Sequence, residues 1–96
     1  MPDLDVVAVI KANPGAEELV QQALTALVEP TRAEQGCLSY DLFVSAAEPA
    51  TFVTIERWRA QADLDAHLGT AHVQQALATA GEHLAAPPGI HPLRAI

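Results

Sequence analysis

The chain has 96 residues, enough for one domain, and residues 1–96 are read as a single unit. Half of the residues are hydrophobic and 18% are charged, which excludes a disordered chain. Twelve acids against five bases give a formal net charge of −7, which argues against nucleic acid and against an anionic membrane surface, since both are bound through Lys/Arg patches.

A domain this small buries only roughly 60–65% of its unfolded surface, so association with a second copy would add to a thin stability margin. The single cysteine, Cys37, cannot form an internal disulfide and is read as a buried small hydrophobe. The N-terminal MPDLD is acidic and lacks the basic start of a signal peptide. No apolar run approaches the roughly 18 residues of a membrane span. The expected location is cytoplasmic.

Asp5 to Ile10 contains VVAVI, a β-branched run that predicts a strand apolar on both faces. Asn13-Pro14-Gly15 punctuates, with Asn13 expected to cap a helix and Pro14 at its first position. Leu19, Val20, Ala23, Leu24 and Leu27 form that helix's apolar stripe. Pro30 is expected to kink or end it, and Gly36 is a candidate stop.

Leu38, Tyr40, Leu42 and Val44 alternate with polar or outward positions, which predicts a second strand, and Ala46–Ala50 reads as a hairpin loop. Phe52 to Trp58 is a third strand with Phe52, Thr54, Glu56 and Trp58 on one face. Helix returns over about 61–68, breaks at Gly69-Thr70, and resumes from Ala71 to about Ala80, with Thr70 as its cap. AAPPG at 85–89 is a stiff connector, and Ile90–Ile96 reads as a last strand in which Pro92 suggests an edge or a bulge.

The order β-α-β-β-α-β is the ferredoxin-like split βαβ pattern of an α+β fold, an antiparallel sheet with helices on one face. The first strand is apolar on both faces, so the uncovered face calls for a second copy stacked sheet on sheet. A homodimer is the expected partner state.

Thr51–Val73 concentrates the chemistry. Glu56, Trp58, His67 and His72 fall within eighteen positions of a chain that has only four Phe, Trp and Tyr residues. If the Glu56 face lies under the helices, this carboxylate is partly buried and needs a partner. That partner is either a histidine of the overlying helix, which makes an acid–base pair, or one of Arg32, Arg57 and Arg59, which makes a structural ion pair. On an unbroken helix His67 and His72 would lie about 140° apart, poor spacing for shared metal ligation, although the Gly69-Thr70 break could bring them together. Each histidine has a capping or core role as its alternative. Trp58 and Phe52 are residues more often found as core than as a binding platform, and Tyr40 offers a phenolic hydrogen bond at the end of an apolar pocket. No GxGxxG, P-loop, CxxC or GxSxG motif is present, so neither a metal nor a cofactor is expected.

These residues resemble the antibiotic biosynthesis monooxygenase (ABM) family of small dimeric α+β barrels. The resemblance runs through nearly the whole chain and rests on Asn13-Pro14-Gly15, Glu34-Gln35-Gly36-Cys37-Leu38-Ser39-Tyr40, Glu56-Arg57-Trp58, Ala66-His67-Leu68 and Thr70-Ala71-His72. It implies a homodimer with a pocket between sheet and helices in each subunit. It also implies cofactor-independent oxygenation of a phenolic or quinol substrate, whose anion reacts with dioxygen. On that reading His67 is the catalytic base, Glu56 orients it, and Tyr40, Trp58, Phe52 and His72 contact the substrate. Other relatives isomerise small phosphorylated carbonyl compounds, for which Arg57 or Arg94 would be the basic contact, and a non-catalytic ligand-binding dimer is a third alternative. A haem-degrading branch uses an Asn, Trp and His set. Here His67 falls where that branch has its Trp, Leu77 falls where it has its axial His, and the first strand offers no matching Asn.

Overall fold

The computed structural model describes residues 3–96. The elements are β1 (Leu4–Lys11), α1 (Glu17–Arg32), β2 (Cys37–Val44), β3 (Thr51–Trp58), α2 (Gln61–Leu68), α3 (Ala71–Ala80), a 3₁₀ turn (Gly81–His83) and β4 (Gly89–Leu93). The four strands make one antiparallel sheet in the order β2-β3-β1-β4. This is the expected ferredoxin-like α+β architecture, with a second C-terminal helix where the Gly69-Thr70 break divides the pattern.

Alternation decides which side chains meet the helices. Val6, Ala8 and Ile10 of β1 and Phe52, Thr54, Glu56 and Trp58 of β3 are all buried, and every intervening residue is less so. Two clusters fill the space under the helices. Ala8, Ile10, Ala12, Val20, Phe52 and Ala80 form one; Val6, Trp58 and Leu64 form the other, with Cys37 packed against it. The opposite face is open. Phe43, Ile55 and Leu93 are about half exposed there, beside Val7, Val9 and Val53.

Four local expectations are corrected. Asn13 is not the helix cap: α1 starts at Glu17, and the Asn13 carbonyl accepts the Ala16 N–H in a turn through Gly15, whose φ is 89°. Pro30 does not end α1. It sits inside the last turn, where its missing donor removes one hydrogen bond and little helix follows to be disturbed. In β2 a bulge between Cys37 and Ser39 shifts the alternation, so Leu38 leaves the Tyr40 face and is half exposed. β4 ends at Leu93, short of the expected Ile96; it is an edge strand, which suits Pro92.

Candidate active site

A cavity of about 200 Å³ lies between the sheet and the three helices. Its wall is mostly apolar: Ala8 and Ile10 from β1, Val20, Leu24 and Leu27 from α1, Leu64 and Leu68 from α2, Val73, Ala76, Leu77 and Ala80 from α3. The polar exceptions are Tyr40, Thr54, Glu56 and His67.

His67 occupies the last turn of α2 and is 4% exposed. Its ring is tilted against Trp58, with centroids 4.8 Å apart, and faces Tyr40 at 5.9 Å. The Nδ1 atom lies 2.6 Å from Glu34 Oε2. His72 Nε2 lies 2.8 Å from the same oxygen. No lysine or arginine among the described residues pairs with Glu34, so two imidazoles supply all of this carboxylate's side-chain partners.

The convergence has local causes. Thr70 ends α2 and starts α3 with one side chain: its hydroxyl donates to the His67 carbonyl at 2.7 Å and accepts the Val73 N–H at 3.4 Å. The resulting bend cancels the separation that an unbroken helix would impose on His67 and His72. Glu34 is held by its own turn. Its N–H donates to the Thr31 carbonyl, its carbonyl accepts from Cys37, and the Gly36 carbonyl accepts from Arg59 just before α2. Gly36 has φ 99°, and a Cβ there would lie 2.8 Å from Asp63 Cβ and closer still to its Cγ. Glycine therefore permits both the backbone conformation and the approach of this turn to α2.

The site differs in part from the one expected from the sequence. Glu56 is buried and lines the cavity, but its hydrogen bonds do not go to a histidine or an arginine. Oε1 accepts from Trp58 Nε1 at 2.8 Å and Oε2 from Thr54 Oγ1 at 2.5 Å. All three side chains point to one face of β3 at spacing two, so the strand satisfies its own carboxylate. The residue bonded to His67 is Glu34. It stands in the quoted Glu34–Tyr40 motif, but nothing in its spacing to His67, 33 positions away, signals the contact. Trp58 and Phe52 do not face the cavity; both are wholly or almost wholly buried in the clusters behind its wall. His72 lies outside it, in a surface groove between α1 and α3. Tyr40 is on the wall, as expected, and burial, reinforced by the charges of Glu56 and Glu34, pushes its phenol far above the ordinary range. It therefore stays a hydrogen-bond donor. Arg57 projects from the open face and pairs with Asp5 at 2.9 Å, which removes it from the site.

Residues 4–79 match the antibiotic biosynthesis monooxygenase family. The chain belongs to this family. It is 39% identical over 85 residues to Rv0793 of Mycobacterium tuberculosis, provisionally named a monooxygenase, spanning 88% of this chain and 83% of that protein. The solved structure of Rv0793 superimposes with a TM-score of 0.89 over 99% of this chain and 96% of that one. YcnE of Bacillus subtilis, also provisionally named a monooxygenase, is 40% identical over 80 residues, covering 83% of this chain and 84% of YcnE. The crystal structure of PA3566 from Pseudomonas aeruginosa is 36% identical with a TM-score of 0.90, covering 100% and 96% of the two chains. No helix among the described residues is long and apolar enough to cross a membrane.

Proposed function

We propose that this protein is a cofactor-independent monooxygenase of a small phenol or quinol, with His67 as its base. One observation carries the reading. His67 lines an apolar cavity while its Nδ1 is engaged by Glu34, which leaves Nε2 as the nitrogen for a ligand. A carboxylate on Nδ1 fixes the ring and stabilises the imidazolium that forms when Nε2 takes a proton. Glu34 has the orienting role that the sequence reading assigned to Glu56, and Glu56 and Tyr40 are polar contacts for the substrate.

The chemistry follows from the setting. Proton transfer from a phenolic O–H to Nε2 leaves an electron-rich anion, which reacts with dioxygen at a ring carbon. One oxygen atom becomes a carbonyl on that carbon. The other leaves as water with the two hydrogens given up by the ring carbon and the hydroxyl, so a phenol becomes a quinone. The volume limits the substrate: about 200 Å³ is below the ~300–1,000 Å³ of drug-sized sites and little above an engineered ~150 Å³ cavity that takes benzene. One- or two-ring substrates fit this size.

Oxygen uptake with a panel of one-, two- and three-ring phenols and quinols tests the proposal. Uptake is expected with the smaller members, and His67→Ala is expected to lower it by about 10²–10⁴ with an unchanged circular dichroism spectrum. A variant that folds and keeps near-wild-type turnover overturns the assignment. Turnover without oxygen would instead support an isomerase using the same base; no arginine or lysine among the described residues lines the cavity, which disfavours a phosphorylated substrate for it.

The same proposal includes a homodimer stacked through the open sheet face, supported by the exposed Phe43, Ile55 and Leu93. Light scattering at micromolar concentration should give twice the chain mass, and Val9→Asp should dissociate or unfold it. A monomeric mass for the unmodified protein sinks the idea.

A further inference from the structure

The spacing of His67 and His72 in the sequence speaks against a shared ion, and the fold removes that objection. Three elements that are separate in sequence converge at one point: the α1–β2 turn brings Glu34, the end of α2 brings His67, and the start of α3 brings His72. Their ligand atoms, a carboxylate oxygen and two imidazole nitrogens, all lie within 4.8 Å of one another. The side chains are 14%, 6% and 25% exposed, so the cluster is sheltered yet reachable through His72. No lysine or arginine among the described residues contacts the carboxylate.

We propose that Glu34, His67 and His72 form a binding site for a divalent late first-row transition-metal ion such as Zn²⁺. Two imidazoles and one carboxylate are a ligand set that such ions accept, with a fourth position left for water. Around an ion with ligands at about 2.0–2.1 Å, neighbouring ligand atoms stand roughly 3.3 Å apart, so Oε2, now 2.6 Å from His67 Nδ1 and 2.8 Å from His72 Nε2, must withdraw by about 0.7 Å from the first and about 0.5 Å from the second. Glu34 is in a turn, and rotation about its side-chain bonds supplies that movement. Each imidazole gives the ion a lone pair, so its proton resides on the other nitrogen, Nε2 in His67 and Nδ1 in His72.

One consequence rests on the base role proposed for His67. With an ion on Nδ1, Nε2 carries the proton and faces the cavity as a donor. The loaded protein can hold a phenolate but cannot deprotonate a phenol, so zinc should inhibit turnover and a chelator should restore it.

Calorimetric titration of chelator-treated full chain with Zn²⁺, and with Co²⁺ followed by its visible absorption, tests the site. One ion per chain is expected. Glu34→Gln and His72→Gln should each weaken binding by more than about 100-fold, beyond the ~10–100-fold that loss of an outer partner produces. His83→Asn with His91→Asn, two histidines outside the cluster, should leave it unchanged. Absence of saturable binding, or binding lost only with the His83 and His91 pair, overturns the proposal. Should the cluster variants unfold, nitrogen NMR of the wild-type chain decides: zinc must shift His67 Nδ1 and His72 Nε2, and shifts confined to His83 and His91 reject the site. Zinc bound at the cluster without inhibiting turnover keeps the metal site and rejects His67 as the base.

Discussion

Glu34 and Glu56 are both acids drawn inside the protein, and they are accommodated in opposite ways. Glu56 is satisfied locally, by the Thr54 hydroxyl and Trp58 indole two positions either side on its own strand. Both donors are neutral and stay so, which makes this a fixed polar point in an apolar wall. Glu34 is satisfied from afar, by two imidazoles brought over by separate helices. Both of its donors can gain or lose a proton, so this arrangement can respond to a ligand, an ion or a substrate proton. Burying a carboxylate needs hydrogen bonds in either case; only the second kind of partner brings acid–base chemistry with it.

The widest gap between the two should show in turnover. Glu34→Gln is expected to lower kcat by about 10², the lower end of what removal of the base itself would do, because the amide cannot stabilise the imidazolium. Glu56→Gln should lower kcat less. Equal losses would remove the distinction drawn between them.

Stability should reverse the order of sensitivity around Glu56. Trp58→Phe leaves Glu56 Oε1 buried without its donor and should destabilise the fold by about 1–3 kcal/mol in urea unfolding, since an orphaned buried acceptor loses its desolvation compensation. A change within measurement error would mean that water replaces the indole.

Gly36→Ala should cost about 1–3 kcal/mol from its left-handed backbone, with Asp63 forced to shift as well. Because the turn carries Glu34, it should also lower kcat, whereas Gly15→Ala, with φ 89° but open space around it, should affect stability alone. A kcat loss in both variants would detach the turn from the site.

The smallest effect concerns Tyr40. Its phenol is held neutral in the fold, so the unfolded chain ionises first as pH rises past about 10. The stability due to the neutral phenol is complete below that value and is lost progressively above it. Tyr40→Phe should flatten the alkaline fall of stability; an unchanged slope would show that other groups cause it.

Local rules reached the strand faces and the helix break. Period-two alternation placed Phe52, Thr54, Glu56 and Trp58 on one strand face, which packing then turned under the helices, and Thr70 was legible as a cap. The bulge at Cys37–Ser39 was not legible, because one extra residue in a ladder is decided by the partner strand. Nor was the persistence of α1 through Pro30, where packing outweighs one missing hydrogen bond.

By itself the sequence determined the element order and which residues of β3 share a face, since periodicity and capping act over a few residues. Only the tertiary structure decided which acid serves which group. It paired Glu34 with both histidines across 33 and 38 positions, left Trp58 and Phe52 behind the cavity wall, and turned Arg57 to the open face. Those outcomes depend on how far α2 and α3 bend at Gly69-Thr70 and how closely the Gly36 turn approaches α2. Such distances are set by packing between elements that no local pattern encodes.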